Sequence, residues 1–560
     1  MGSGGRRLLR HASELGPAYE ATLDAATRRR GAHYTPAPVA AELVELTLGV
    51  WERGVWERGA SGRRRHDRRP PGICDPACGG GAFLLAALDA LVRRGIAAAD
   101  ALVCVRGIDT DPGAVEVSRA SVRRWIDERS PERGDVTWIE RALDSQIVVG
   151  DGLLGDWPGG PFDVVVGNPR FQSQLRSLTA RDPSVRSRVR ELFGDASVGY
   201  VDTAALFLLS ALRHVTADGT VCLVQPRSTA GAAHAAEVRR RIAEVGVVEI
   251  WWPQERLFDA AVDVWAPVIS ARPPSGPDSE HGEDPDRRAD NDLVELLRRP
   301  DGWSDAVAAR RGVPALDLAV GAVVSDVATV SAGFRDEFYG LIPYVDEQGA
   351  ASVTGDAGGD TIGRLVTVGA IEPLRSTWGE RPVRFAGRSW DRPVVGVAAT
   401  DDPTIGEWVR RQLRPKVVLA TQTRWVEAVA DPDGTLIGVT PAISITPHPD
   451  LSAAPGAPGP IDVEHLAVAL CSPVITLVAH RRHAGTALVA DAVRLSAAAV
   501  RSLPLPSDRA EWDRAVGLAR RVPVPWRALG EAMCAAYGVD VDPVLAWWLA
   551  LPAQRGSKGV

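Results

Sequence analysis

Three carboxylates in this chain fall at the ends of successive strand-like runs. Asp75 closes GICD and stands just before Gly79, Gly80 and Gly81, after which AFLLAALDALVRRG reads as a helix. Asp109 closes LVCVRGID, and Asp151 follows QIVVG. Glycines between a strand and a helix let the backbone approach a ligand closely, and the helix start offers free N–H groups. Dinucleotide folds and plain tight turns use the same device, so the neighbouring carboxylates must discriminate. At the second strand end Asp109 can accept two hydrogen bonds from a ribose 2′,3′-diol, and at the third Asp151 can stand beside an adenine amino group. A pyrophosphate would be repelled by acidic groups so near the loop, whereas a sulfonium cofactor with a cationic amino-acid part would be attracted. On charge, S-adenosylmethionine suits this loop better than NAD. A fourth run, DVVVG, stops at Asn168, Pro169, Arg170 and Phe171: an amide, a proline, a cation and an aromatic ring in succession.

The elements that must hold these residues follow from periodicity. Between Ile73 and Arg272, short β-branched runs alternate with alanine- and leucine-rich stretches of helical period. That alternation predicts an α/β fold, a doubly wound, Rossmann-like parallel sheet covered by helices, over residues 1–272. Residues 273–295, rich in proline, glycine and acidic side chains, read as a linker or mobile loop. Residues 296–510 carry short strands among glycine and proline turns and then helical stretches, an α+β pattern, and 511–560 form a helical tail whose VDPVLAWWLAL is a packing face.

Composition bounds the partners. The 560 residues carry a net charge of -7, which on its own argues for no nucleic acid but leaves room for a local basic surface. Nearly every cation is arginine, with only Lys416 and Lys558 as lysines, and alanine is abundant, so the arginine count is weak evidence of phosphate binding. The six cysteines have neither a CxxC pair nor histidines at zinc spacing, which points to free thiols and no metal site. No apolar run approaches about eighteen residues and no export signal opens the chain, so a cytoplasmic protein without a membrane partner is expected.

With these pieces in hand the sequence resembles the amino-type DNA methyltransferases, specifically the gamma-ordered adenine-N6 DNA methyltransferases. In these a Tyr-Thr-Pro motif precedes the glycine loop, and a target-recognition domain follows the catalytic domain. The motifs occur here in that order: His33-Tyr34-Thr35-Pro36, then Asp75 to Leu84 as DPACGGGAFL, Asp109, Asp151-Gly152, and Asn168-Pro169-Arg170-Phe171. The resemblance implies S-adenosylmethionine held by Tyr34, Thr35, Pro36, Asp75, Ala77, Gly79, Gly81, Phe83, Asp109, Asp151 and Asn168. It also implies that a target adenine leaves the duplex stack, since its exocyclic nitrogen cannot reach a methyl donor inside it. The Asn168 side-chain oxygen and the Pro169 carbonyl would accept the two N6–H bonds and turn the nitrogen lone pair toward the methyl group. Phe171 would stack on the flipped base, an interaction of about 1–3 kcal/mol.

Arg170 departs from the family, which carries a second proline there. Either it contacts a phosphate or the flipped nucleotide and activity is retained, or it marks a member that binds cofactor and target with poor turnover. The acceptors and ring that remain favour the first, which places Arg170 with the DNA contacts. Further candidates for contact with double-stranded DNA are Arg384, Arg388, Trp390, Arg392, Arg414, Lys416 and Arg424, where cations interleave with aromatics. No lysine precedes Lys416, so a nuclease of the common carboxylate-and-lysine type is not expected in this chain. A separate restriction endonuclease or other defence-system subunits are the expected protein partners. A methyltransferase acting on protein glutamine amides shares the Asn-Pro-x-aromatic device but lacks a large second domain. RNA and small-molecule targets stay open.

Overall fold

A computed structural model describes residues 11–22, 35–58, 69–129, 136–171, 183–199, 201–253, 263–271, 285–319, 321–333, 335–348, 362–396, 402–448, 461–486 and 492–551. The chain divides after Ala306 into two compact units.

The first unit is built on an eight-stranded sheet: β1 Ile73–Asp75, β2 Val105–Asp109, β3 Ile147–Val149, β4 Phe162–Gly167, β5 Val215–Leu223, β6 Gln225–Pro226, β7 Val247–Trp251 and β8 Val264–Ser270. The strands run in the order β3-β2-β1-β4-β5-β8-β6, with β7 also pairing β8. From β3 through β5 every pairing is parallel, while β8 lies antiparallel to β5, β6 and β7. All six residues of β4 are buried, and since alternate side chains point to opposite faces, both faces of the sheet are covered. The alternation read from the sequence is therefore present, closed at one side by an antiparallel set.

The covering helices are α1 Leu15–Thr22, α2 Ala37–Arg58, α3 Ala82–Arg93, α4 Ala98–Cys104, α5 Pro112–Arg129, α6 Val136–Gln146, α7 Pro183–Phe193, α8 Thr203–Leu212, α9 Ala236–Val245 and α10 Pro285–Leu297. Leu43, Val44 and Leu48 of α2 and Leu84, Leu88 and Leu91 of α3 meet Ile73, Val164 and Val166 in one apolar cluster. Burying each such side chain contributes about 1.5–3 kcal/mol, enough to order the short parallel strands between them. Of the linker expected at 273–295, residues 273–284 lie outside the described residues, and residues 285–295 belong instead to α10, whose Leu293, Val294 and Leu297 are buried.

Taken by itself, the second unit is α+β. Strands Ala328–Ala332, Lys416–Ala420, Ala428–Asp431 and Ala442–Pro447 make one antiparallel sheet. Val345–Glu347, Ile362–Val366, Pro393–Gly396 and Leu436–Gly438 make another. Helices Arg509–Ala519, Trp526–Tyr537 and Val541–Ala550 pack among themselves and against Val463–Leu470 and Pro473–His483, with Trp512 and Trp548 fully buried. The tail expected from residue 511 is thus part of this unit's core. Among the described residues, no single helix is long and apolar enough to cross a membrane.

Two residues expected at DNA are instead core residues. Lys416 is only 1% exposed and lies directly across the ladder from Asp431, with Nζ 2.6 Å from Oδ2. The same carboxylate accepts from the Thr435 and Leu436 amides at 2.8 and 2.9 Å. Burial lowers the Lys416 pKa and the partner carboxylate opposes that, which is the signature of an internal pair. Trp390 is 9% exposed within the apolar cluster that also holds Phe385, and the Arg388 guanidinium covers its ring at 4.5 Å. A ring so covered offers no face to a base. Arg384, Arg388, Arg392 and Arg414 are exposed, and Arg424 is half-buried.

Removing one partner of a buried pair strands the other charge, so Lys416→Met is expected to cost about 3–5 kcal/mol of stability in urea unfolding. Arg414→Ala, two residues away and exposed, should stay within about 0.5 kcal/mol of the parent. Equal, small effects for the two would mean that Lys416 is solvated after all.

Candidate functional site

The order β3-β2-β1-β4 brings the carboxyl ends of four parallel strands side by side, at the place where the sheet reverses direction. The loop after β1 turns because Gly79 and Gly81 take left-handed backbone, at φ 50° and 88°. Its amides are then spent on the neighbouring strand ends. Ala77 N–H donates to Asp75 Oδ1 at 3.0 Å, Cys78 N–H to the Ile108 carbonyl at 2.9 Å, and Gly79 N–H to Asp109 Oδ2 at 2.9 Å. The other Asp109 oxygen accepts from the Asp111 amide at 2.9 Å. Asp151 is exposed, and its Oδ1 caps the following turn through the Leu153 and Leu154 amides at 2.9 and 3.1 Å. Gly152 is a steric requirement, because a Cβ there would stand 2.0 Å from the Pro76 carbonyl oxygen.

These loops enclose a cavity of about 120 Å³ lined by Pro76, Ala77, Asp109, Thr110, Asp151, Gly152, Leu153, Arg170, Thr203 and Phe207. Of the residues expected from sequence, Ala77, Asp109, Asp151 and Arg170 therefore meet at one opening. Gly79 joins them through its bond to Asp109, whereas Gly81 starts α3. Phe83 does not reach the cavity: at 3% exposure it is a core residue of α3. Tyr34 lies outside the described residues. Pro36, just before α2, accepts the Ala40 amide at 3.1 Å.

Asn168 is fixed from a distant part of the chain, its Nδ2 donating to the buried Thr35 hydroxyl at 3.1 Å. With the nitrogen so engaged, the amide oxygen is left as an acceptor. Pro169 is buried, and Phe171 is half-buried against the edge of the apolar cluster. Arg170 does not turn outward. Its Nη2 lies 3.7 Å from Asp109 Oδ1, and its backbone carbonyl accepts from Thr203 Oγ1 at 3.0 Å. The cause is electrostatic: the Asp109 and Asp151 carboxylates in the cavity wall attract a guanidinium.

Other members of the site were not legible beforehand. Thr203 and Phe207 sit four apart on α8, a spacing that reads as an ordinary apolar face. Helix α1 lies over the glycine loop, so that a Cβ on Gly80 would meet Gly16 Cα at 2.6 Å, and Tyr19 donates its hydroxyl proton to Asp111 at 2.9 Å. Nothing in the composition of α1 marks it for that position.

Burial acts strongly on the Asp75 carboxyl. It is 2% exposed, its Oδ2 has no hydrogen-bond partner, and burial pushes its pKa up to about 8, with the nearby Asp109 charge adding to the rise and the Ala77 N–H opposing it. At neutral pH it is therefore mostly protonated, and a cation brought against it would favour ionisation. The folded-state pKa lies above the unfolded one, so the contribution of Asp75 to stability is complete below about pH 4 and is lost as pH rises to about 8. Asp75→Asn is expected to flatten the fall in stability between pH 5 and 8, measured by thermal unfolding. Glu427 of the second unit, also raised to about 8 by burial, has the same sign and remains in both proteins. An unchanged pH slope in the variant would mean that Asp75 ionises normally.

Residues 10–259 match the family model described as N-6 DNA Methylase. No curated protein sequence matches the chain. Among solved structures, the type IIL restriction-modification enzyme MmeI in complex with DNA is similar in fold over 97% of this chain and 81% of that one, with 12% identity and a TM-score of 0.58. The ATP-dependent type ISP restriction-modification enzyme LlaBIII bound to DNA is similar over 91% of this chain and 41% of that one, with 11% identity and a TM-score of 0.50. The glycine loop, the Asn-Pro-x-Phe strand end and the parallel strands that carry them all lie within residues 10–259, the stretch that is similar to the N-6 DNA methylase family.

Proposed function

We propose that the chain is a site-specific DNA methyltransferase that moves a methyl group from S-adenosylmethionine to N6 of an adenine turned out of the duplex. The observation that carries this reading is the Asn168–Thr35 hydrogen bond, which presents an amide oxygen at the end of β4, beside a cavity walled by Asp109 and Asp151. The residues suit the cofactor: Asp109 can accept from a ribose diol, Asp151 from an adenine amino group, and the unpaired buried Asp75 oxygen lies beneath a loop that would face a cationic amino-acid part.

When bound, S-adenosylmethionine supplies an electrophilic methyl whose carbon–sulfur bonding pair returns to sulfur. The protein's share is orientation. Asn168 Oδ1 and the Pro169 carbonyl accept the two N6–H groups, which draws density onto the nitrogen and directs its lone pair along the line of transfer. Once the nitrogen–carbon bond has formed, the excess N6 proton leaves through the same acceptors to solvent. Phe171 supplies the stacking face that replaces the lost base neighbours.

The second unit is the proposed target-recognition domain, with exposed Arg384, Arg388, Arg392 and Arg414 and half-buried Arg424 as candidate phosphate contacts. The two enzymes of similar fold are restriction-modification enzymes bound to DNA, which supports DNA as substrate; a separate restriction endonuclease or defence-system subunit is the proposed partner. The test is transfer of radiolabelled methyl to duplex DNA of mixed sequence, with nucleosides identified by mass. Label is expected in N6-methyladenine, and Asn168→Ala should reduce it by roughly 10²–10³-fold. Label in another base, or in protein, would replace the proposed substrate.

A further inference from the structure

Among the described residues, Arg170 is the one cation lining a cavity whose other charged walls are Asp109 and Asp151. Its Nη2 lies 3.7 Å from Asp109 Oδ1, and about a third of its side chain is exposed. Its backbone is anchored on both sides, by the Thr203 hydroxyl on its own carbonyl at 3.0 Å and by the Val224 amide on the Gly167 carbonyl at 3.0 Å. The guanidinium therefore enters the cavity from the same short segment that carries Asn168 and Phe171.

If the cavity holds the cofactor as proposed above, it must also hold the reaction product. S-adenosylmethionine and S-adenosylhomocysteine share the adenine, the ribose and the amino-acid ends, and differ by one methyl and one positive charge on sulfur. Hydrogen bonds from Asp109 to a ribose, contacts with Leu153 or Phe207, and the fit of the glycine loop act on both alike. What separates the two by charge is the electrical potential inside the cavity. Asp109 and Asp151 make that potential negative and favour the charged donor. Arg170 opposes them.

We propose that Arg170 sets the discrimination between methyl donor and product at this site, weakening the binding of cationic S-adenosylmethionine relative to neutral S-adenosylhomocysteine. This inference rests on the cofactor reading and assigns Arg170 a role in specificity rather than a DNA contact. Its consequence is a site that holds product comparatively well, so product release contributes to the turnover rate.

The experiment is titration calorimetry of the full chain with each nucleoside separately, for the parent, Arg170→Gln, Arg170→Met and Arg170→Lys. Removing the charge is expected to lower the ratio Kd(S-adenosylmethionine)/Kd(S-adenosylhomocysteine) by about three- to tenfold in the Gln and Met variants, the size of effect a unit charge has in a half-solvated site. Arg170→Lys should keep the parent ratio. A loop that had only loosened would weaken both ligands equally, and a ratio unchanged within about twofold in both neutral variants would overturn the proposal. Failure of the parent to bind either nucleoside, or binding that is indifferent to Asp109→Ala, would overturn the cofactor reading itself and the proposal with it.

Discussion

The hydrogen bond from the Gly79 amide to Asp109 Oδ2, 2.9 Å long, is the contact on which the rest of the site depends. It joins the loop after β1 to the end of β2, and it forms because left-handed backbone at Gly79 turns that amide toward the neighbouring strand. Together with the Asp111 amide on the other oxygen, it fixes the plane of the Asp109 carboxylate before any ligand arrives. The cavity wall and the attachment point of Arg170 both follow from that fixed plane.

The two units show two responses to one problem, the cost of removing a carboxylate from water. Asp431 is buried with a cationic partner, since Lys416 stands opposite it and two backbone amides donate to it. Asp75 is buried against one amide only, with another carboxylate nearby, and gives up its charge instead. The first arrangement holds a sheet together. The second leaves a group whose ionisation answers to whatever charge enters above it, which is a property of a site and not of a scaffold.

The dependence on distant contacts explains what could be read beforehand. Strand ends, glycine turns and helix starts are local, written in period and composition over a few residues, and Asp75, Gly79, Asp109, Asp151 and Asn168 all lie at the strand ends and turns expected of them. Phe83 was misread because a loop motif says nothing about which face of the next helix turns inward. Lys416 was misread because a rare residue type attracts notice whatever its exposure, while the buried KVVLA strand that contains it carries no exposed face at all. Trp390 and Arg388 do interact as cation and ring, but with each other.

The sequence by itself determined that the first half would be an α/β sheet with acidic strand ends around a glycine loop, because strand period, turn chemistry and the order of motifs are properties of neighbouring residues. The tertiary structure alone decided the direction of Arg170, the burial of Lys416, the cover that α1 lays over the loop and the bond between Thr35 and Asn168, which are 133 residues apart. Each of those depends on which charges and hydroxyls the fold brings within a few ångströms across the chain, and no local pattern carries that information.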